Sequence, residues 1–522
     1  AIAQNKQVTG TVTDANGSPI AGATVVVEGT AIGTSTGVDG AYSITAPKEA
    51  TLLVSFIGFE AQRIPVAGKT QINIQLKEDS QSIDDVIVVA YGTAKKEAFT
   101  GSAAVVKSED IAKRQVTNVS NALTGQVAGV QVASSNGQPG ASSTIKIRGF
   151  GSMAAYSDPL YIVDGVPFSG TLNSINTADI ASVSVLKDAA AAAIYGARGA
   201  NGVIIITTKR GKTRDAVVTF DAKWGSSTRG VSKYDVIEDP AMYYELGYQA
   251  LYNSYISSGD SAAEAHVNAN SALLSSDNGG LGYQIYTVPT GEHIIGTNGK
   301  LNPNAKLGYS DGEYYYTPDD WNDEIFGEGN LRQEYNVSVS GATDRFNYYL
   351  SAGYLDDSGL IDGSGFTRYS ARMKADYQAK KWLKVGGSMS YTNYELRSPS
   401  GQNSWGTGSN IFYVANMIAP VYPMYVRDVN GNHMYDDRGY VMYDTGTNTN
   451  QMRDFGGGSN PLMTLKLNKY QSFTDAFSGQ WYAEADLYEG LKVKANISTD
   501  VTNARGSYLY NPFYGGYVAD EG

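Results

Sequence analysis

Beyond residue 215 the chain repeats one pattern, in which apolar and polar side chains alternate along segments of about ten residues or more. Val218, Phe220, Ala222 and Trp224 alternate with Thr219, Asp221 and Lys223. Tyr369, Ala371, Met373, Ala375 and Tyr377 alternate with Ser370, Arg372, Lys374 and Asp376. Similar rows run through Tyr335–Val339, Phe346–Tyr354, Leu383–Tyr391, Phe477–Leu487 and Leu491–Ile497. A period of two places the two sets on opposite faces of a strand. This half therefore predicts a sheet with one apolar and one hydrophilic face, a description that a soluble sandwich also meets. Three features favour a membrane wall: the strand lengths, the aromatic residues near strand ends, and connections that alternate between short and long. Residues 341–345, 378–381 and 488–490 are the short connections, and 226–331, 356–367 and 394–471 the long ones. About seven strands are too few to close a barrel, so the chain is expected to stop mid-barrel, with edges left for pairing.

The remaining composition narrows the function classes. With 522 residues the chain exceeds one ordinary core, so several domains are expected. A net charge of -12 opposes nucleic-acid binding, which needs a basic face. There is no cysteine, which excludes disulfides, thiolate metal sites and a cysteine nucleophile. No run of about 18 apolar residues marks a membrane helix, which does not bear on a barrel. Ala1-Ile2-Ala3-Gln4 reads as the end of a signal peptide.

Residues 4–78 alternate short strands with turns such as Asp14-Ala15-Asn16-Gly17 and Asp39-Gly40, which predicts an antiparallel β-sandwich. Gly10-Thr11-Val12, Pro19-Ile20-Ala21-Gly22-Ala23, Asp39-Gly40-Ala41-Tyr42 and Ser55-Phe56-Ile57-Gly58-Phe59 resemble the carboxypeptidase regulatory-like domain. That resemblance implies a folded accessory module. No histidine precedes His266, so no zinc site is expected there.

Residues 79–92 read as a polar linker followed by a β-branched strand, Asp84, Asp85, Val86, Ile87, Val88, Val89, Ala90 and Tyr91, with no evident hairpin mate. A lone strand beside a linker suits adoption by a partner's sheet edge, while an eighth strand of the sandwich is the plainer reading. Residues 93–213 read as mixed α/β. They include the strand end Arg148-Gly149 and the turn Asp164-Gly165. Leu186-Lys187-Asp188 then leads to an alanine run, expected to be a helix stopped by Gly196 and Gly199. Tyr195, Arg198, Asn201 and Gly202 complete the stretch before a buried strand. The glycines lie between a helix and a strand, the opposite order from a nucleotide loop.

The stretch Val185–Gly211 resembles a signature of the SusC/RagA family of TonB-dependent transporters, and the acidic-then-valine run ending in Tyr91-Gly92 resembles that family's TonB box. The resemblance spans residues 4 to about 213 in the order sandwich, box, plug. The resemblance implies a plug inside a barrel of roughly 22 strands. It implies TonB, with ExbB and ExbD, pulling on Asp84–Tyr91, and a SusD-like surface lipoprotein as a lid, and it allows such pairs to dimerise. It further implies outer-membrane lipid around the barrel, a Gram-negative host of the Bacteroidota type, and an oligosaccharide or oligopeptide as cargo. Phe150, Ser152, Met153 and Tyr156 are the expected cargo-facing plug residues, and Arg148 and Arg198 are expected to pair with carboxylates of the barrel wall. A siderophore or cobalamin receptor, or a non-transporting surface binding protein, are the rival readings. No cofactor and no catalytic arrangement is expected. In the long connections, Asp239-Pro240 predicts a helix over Met242–Tyr255. The oxygen-rich segment 428–437 lacks the spacing of an EF-hand, since Gly439 stands where its last ligand would be, and reads as a solvated loop. His266, His293 and His433 are scattered without ligand spacing, as surface residues are.

Overall fold

The computed structural model describes residues 5–14, 17–30, 32–56, 59, 61–77, 86–89, 92–95, 103–134, 137–149, 157–188, 192–230, 235–277, 279–327, 330–398, 411–453, 458 and 460–509. The chain divides into two compact units, residues 1–103 and 104–522.

The first unit contains a sandwich of seven strands: β1 (Asn5–Thr13), β2 (Thr24–Val27), β3 (Gly33–Ser35), β4 (Ala41–Pro47), β5 (Thr51–Ser55), β6 (Gln62–Pro65) and β7 (Ile74–Gln75). One sheet has the order β4-β1-β7 and the other β3-β2-β5-β6. Val8, Val12, Val25, Ile44, Leu52 and Val54 alternate inward from the two sheets and form the shared core. The sandwich is not wholly antiparallel as expected. β7 runs parallel to β1, with Val12 opposite Ile74 and Thr13 opposite Gln75, because the chain crosses over from the other sheet before meeting the free edge of β1. Within the first sheet Tyr42 of β4 reaches past β1: its hydroxyl donates to the Ile72 carbonyl at 2.8 Å, and burial pushes that hydroxyl up to about 12.

Val86–Val89 (β8) does have a hairpin mate, contrary to expectation. It pairs antiparallel with Gly92–Lys95 (β9), Val86 opposite Lys95 and Val89 opposite Gly92. The two form a separate two-stranded sheet, not an eighth strand of the sandwich. A β-branched run has many extended-backbone donors and acceptors to satisfy, and the next extended segment is only two residues away.

In the second unit, β10 (Ala103–Lys107), β15 (Ile180–Leu186), β16 (Val203–Thr208), β13 (Leu160–Val163) and β14 (Val166–Pro167) form one sheet in that order. A hairpin of β11 (Val130–Ala133) and β12 (Thr144–Ile147) packs beside it. Short helices Ser108–Ala112 and Val119–Ala122 cover the core of Ile145, Val183, Val185, Ile204 and Ile206. β16 is buried on both faces and is flanked by a parallel partner, β13, and an antiparallel one, β15, which is why its sequence is an unbroken apolar run. Of the expected alanine helix, Ala192 is helical and donates its N–H to the Asp188 carbonyl at 3.0 Å; Ala193–Gly199 continues as a 3-10 turn in which Gly196 leaves helical backbone (φ 60°, ψ -148°), as a glycine stop does.

The wall is a sheet of β17 (Val217–Ser226), β22 (Leu331–Ala342), β23 (Phe346–Ser358), β24 (Gly365–Lys380), β25 (Leu383–Arg397), β26 (Lys469–Tyr488) and β27 (Leu491–Leu509), in that order, each antiparallel to the next. It is inside out relative to a soluble protein. Arg332, Glu334, Arg368, Lys374, Asp376, Ser388 and Thr392 are buried, whereas Leu350, Tyr369, Met373, Tyr377 and Trp481 are exposed. In water that outer row would cost free energy, while in a bilayer it is the solvated face.

The long connections fold into a body of their own at the end of the wall opposite the short turns. Helices Pro240–Ser257 and Ala262–Leu273 start from the caps Asp239 and Ser261, and the first runs slightly longer at both ends than expected. Small hairpins β18 (Tyr286–Thr287) with β19 (Lys306–Leu307), and β20 (Tyr309–Ser310) with β21 (Tyr315–Tyr316), pack on them. At its centre Asp444 and Arg453 form an ion pair at 3.1 Å with both side chains 1% exposed. The Tyr283 hydroxyl from the first long connection donates to that carboxylate at 2.8 Å. The Asp428 carboxylate is occupied by the Asn430 and Asn432 amides of its own turn, each at 2.9 Å. His266 and His293, expected apart, stack edge-on with ring centroids 5.1 Å apart. His266 is half-buried and bonds the Tyr248 hydroxyl at 2.7 Å.

Candidate functional site: the seat of the plug on the wall

A hydrophilic inner face has to be satisfied by water or by whatever fills the lumen. Here the mixed α/β sheet fills it, and one wall strand, β24, holds it along most of its length. Even-numbered residues of β24 face inward. Arg368, 2% exposed, extends its Nη1 to the carbonyls of Thr117 (2.8 Å), Asn173 (3.2 Å) and Ile175 (3.3 Å). Two residues on, Ser370 receives the Asn176 side-chain amide at 3.0 Å. Arg372 and Lys374 then converge on Asp164, at 3.4 and 2.9 Å.

Asp164 owes its position to local chemistry. Asp164 and Gly165 are the two central residues of the β13–β14 hairpin, with φ of 48° and 89°. Positive φ at both positions is what a type I′ turn demands, and Asp-Gly is a favoured pair for it. The turn tip carries the carboxylate to the wall. Thr208 of β16 fixes it by donating from its backbone N–H at 2.9 Å and its hydroxyl at 2.5 Å. Burial alone would raise this carboxyl, but Lys374 and Arg372, with the Thr208 donors, hold it well below the usual carboxylate range. Further hydrogen bonds continue onto neighbouring strands. Tyr349 donates to Asp179 at 2.9 Å, Thr392 to the Ser174 carbonyl at 2.8 Å, and Gln480 to the Val163 carbonyl at 3.0 Å.

Two polar cavities open between plug and wall, one on each side of this strand. One of about 140 Å3 is lined by Arg114, Asp179, Lys209 and Glu334. The other, of about 130 Å3, is lined by Asp164, Arg210, Asp376 and Lys494. The interface is thus a line of specific polar bonds flanked by two cavities, with no continuous apolar core between plug and wall among the described residues.

The structure brings together only part of the predicted site set. Arg148 pairs with Asp188 within the plug, not with the wall as expected; both sit at the periphery of the plug core, within reach of each other before any wall residue. Lys187 donates to the Ala128 carbonyl at 3.0 Å, Leu186 is fully buried, and Arg198 is exposed. Asn201 lies at 3.4 Å from the Asp158 carbonyl. Gly149 has φ of 96°, and Gly199 is buried behind Tyr195 and Ala192. Gly202 has φ of 90°, and a Cβ there would meet Ile147 at 2.7 Å, so its place before β16 requires glycine. At Gly211, a Cβ would lie 2.0 Å from the Gly341 carbonyl oxygen, where the chain leaves the plug against the wall. Asp84, Asp85, Ala90, Tyr91, Phe150, Ser152, Met153 and Tyr156 lie outside the described residues. Sequence reasoning passed over Arg368, Arg372 and Lys374 as holding residues. Three cations on one face of a single strand was the available signal.

The chain matches two family models: the TonB-dependent receptor plug domain over residues 95–203 and the carboxypeptidase regulatory-like domain over residues 8–88. It is similar to the TonB-dependent receptor SusC of Bacteroides thetaiotaomicron, 30% identical over 530 residues, covering 98% of this chain and 46% of that protein. TonB-dependent receptor P26 of Formosa agariphila is 30% identical over 500 residues, 95% of this chain and 43% of the relative. Among solved structures, the RagAB peptide importer in its open-open state matches with TM-score 0.57 and 28% identity, over 81% of this chain and 43% of that one. The chain thus spans less than half the length of these relatives. With its sandwich, its plug seated against an inside-out wall, and similarity running over nearly all its residues, the chain belongs to the SusC/RagA-type TonB-dependent outer-membrane receptors.

Proposed function

We propose that the intact protein imports an oligopeptide or oligosaccharide across the outer membrane by moving its plug when TonB pulls. The observation that carries this is the seat itself: a folded body rests on the hydrophilic face of the wall and is held there by discrete polar bonds with cavities beside them. The segment Asp84–Tyr91 is the proposed handle. Among the described residues β8 pairs only with β9, and a partner strand could join its other edge without breaking the hairpin. A SusD-like lipoprotein would cover the outer face over the body formed by the long connections, and Phe150, Ser152, Met153 and Tyr156 remain the proposed plug contacts to cargo. The division into a sandwich (4–78), linker and box (79–92), plug (93–213) and barrel wall (216–522) is part of the same proposal.

The test is uptake by cells carrying the intact gene, with and without residues 84–91, while surface binding of cargo is followed. Loss of uptake with binding and barrel assembly retained supports the reading. Unchanged uptake refutes it and favours a surface binding protein.

A further inference from the structure

The outward face of the wall changes character at its short-turn end. Two neighbouring turns lie there, 343–345 between β22 and β23 and 381–382 between β24 and β25. The register brings them side by side: Phe346 stands opposite Tyr377, and the Gln378 N–H donates to the Arg345 carbonyl at 2.7 Å. Arg345, Lys380 and Lys381 are all exposed at this corner. Among the described residues no ion pair engages any of the three. Asp344, the one acid of the two turns, is paired with Arg214 at 3.0 Å. The third short turn is balanced, since Lys492 beside it is paired with Glu484 at 2.7 Å and with Asp486 at 3.4 Å. Next to the cations, on the same face, the rings of Phe346 and Tyr377 meet edge-on at 6.5 Å, and Trp382 is 53% exposed in the turn itself. Further along, Leu350 and Met373 stand opposite each other and continue an exposed apolar surface. The far end of this face is not basic in the same way: Arg397 there lies between Asp356 and Glu395, at 3.4 and 3.7 Å.

We infer that this corner binds an anionic phospholipid of the periplasmic leaflet, with its phosphate toward Arg345, Lys380 and Lys381 and its acyl chains along Leu350 and Met373. Outer-membrane walls keep their short turns on the periplasmic side, so the headgroups these turns meet belong to that leaflet. The cations supply the charge complement: each basic side chain beside an anionic headgroup layer is worth a roughly fivefold preference. The rings stand where amphipathic aromatics meet headgroups. The patch is also continuous with the bilayer-facing surface of the wall, so its occupant needs a charged head and an apolar body together. A free phosphate matches only the cations. A soluble periplasmic protein would have to displace lipid from Leu350 and Met373. A zwitterionic phospholipid brings its own ammonium, which three unpaired cations disfavour.

The test uses the full-length receptor reconstituted in vesicles of equal parts phosphatidylcholine and phosphatidylglycerol and released into mild detergent, with the retained lipids counted by native mass spectrometry. The parent should retain phosphatidylglycerol over phosphatidylcholine by about tenfold or more. Arg345→Gln/Lys380→Gln/Lys381→Gln should retain the two alike, while Arg438→Gln, at an exposed position of the outer body, should keep the parent's preference. Added inorganic phosphate should leave the lipid in place. Equal retention by the parent, an unaltered preference in a triple variant whose barrel assembles, a preference lost in Arg438→Gln as well, or displacement by phosphate alone would overturn the assignment. Where the triple variant does not assemble, Lys380→Gln/Lys381→Gln is read in the same way, with a loss of at least about fivefold expected. Lipid retention needs neither cargo nor TonB, so its outcome is separate from that of the uptake experiment.

Discussion

Asp164→Asn isolates the charge of the latch from its shape. Asparagine keeps the turn and can still accept from Thr208, but Arg372 and Lys374, 9% and 6% exposed, then face no carboxylate. Leaving buried charge unpaired costs about 3–5 kcal/mol. Taking about 3 kcal/mol, because the Thr208 bonds survive in part, the ratio of seated to unseated plug falls by roughly 100-fold. The assay is hydrogen exchange across 160–167 in the full-length receptor in proteoliposomes, with ion conductance recorded in parallel. Exchange should accelerate by about two decades, and conductance without TonB should rise. Asp164→Asn combined with Arg372→Met and Lys374→Met should recover much of the loss, since the stranded charges are gone. If Asp164→Asn exchanges and conducts like the parent, the latch does not seat the plug and the reasoning fails.

Other consequences are as direct. Arg368→Met should strand the carbonyls of Thr117, Asn173 and Ile175, costing about 1–3 kcal/mol of plug attachment, read as easier proteolysis of the plug in otherwise intact barrels. Because the folded Asp164 carboxyl sits below its unfolded value of about 3.9, its contribution is complete above that value and is lost only as pH falls toward the folded one. Conductance at pH 5 should therefore match that at pH 7.5, and a leak opening between them would contradict the assignment. Arg453→Met leaves Asp444 buried and uncompensated and should destabilise the outer body by about 3–5 kcal/mol, seen as protease sensitivity of residues 227–330 and 398–468 with the wall unaffected. Gly10→Ala would push a Cβ to 1.8 Å from the Ile72 carbonyl oxygen, so the sandwich should melt earlier while plug and wall do not.

How much of this was legible in the sequence depended on the range of the interaction. The alternation of Tyr369, Ala371, Met373 with Ser370, Arg372, Lys374 is a property of neighbours, and the wall strands follow it. The turn Asp164-Gly165 is local as well and sits where its chemistry requires. What Asp164 holds is not local: Lys374 lies more than 200 residues away along the chain, and no pattern around either residue specifies the other. The same limit explains Arg148, whose partner Asp188 lies inside the plug and not on the wall. The mate of Val86–Val89 was close at hand, but Gly92-Thr93-Ala94-Lys95 is a weak strand former, and its pairing depends on the partner more than on its own propensity.

One property of β24 reaches beyond the seat of the plug. Its even residues meet the plug and its odd residues meet the outside. A slip of one residue against β23 would turn Arg368, Arg372 and Lys374 outward and aim Tyr369 and Met373 at polar plug backbone. A slip of two would keep the faces but carry the cations about 7 Å along the strand, away from Asp164. Neither misalignment can accept the plug. The register of β24 and the seating of the plug are therefore a single condition: a strand paired one or two residues out of place presents no cation to Asp164.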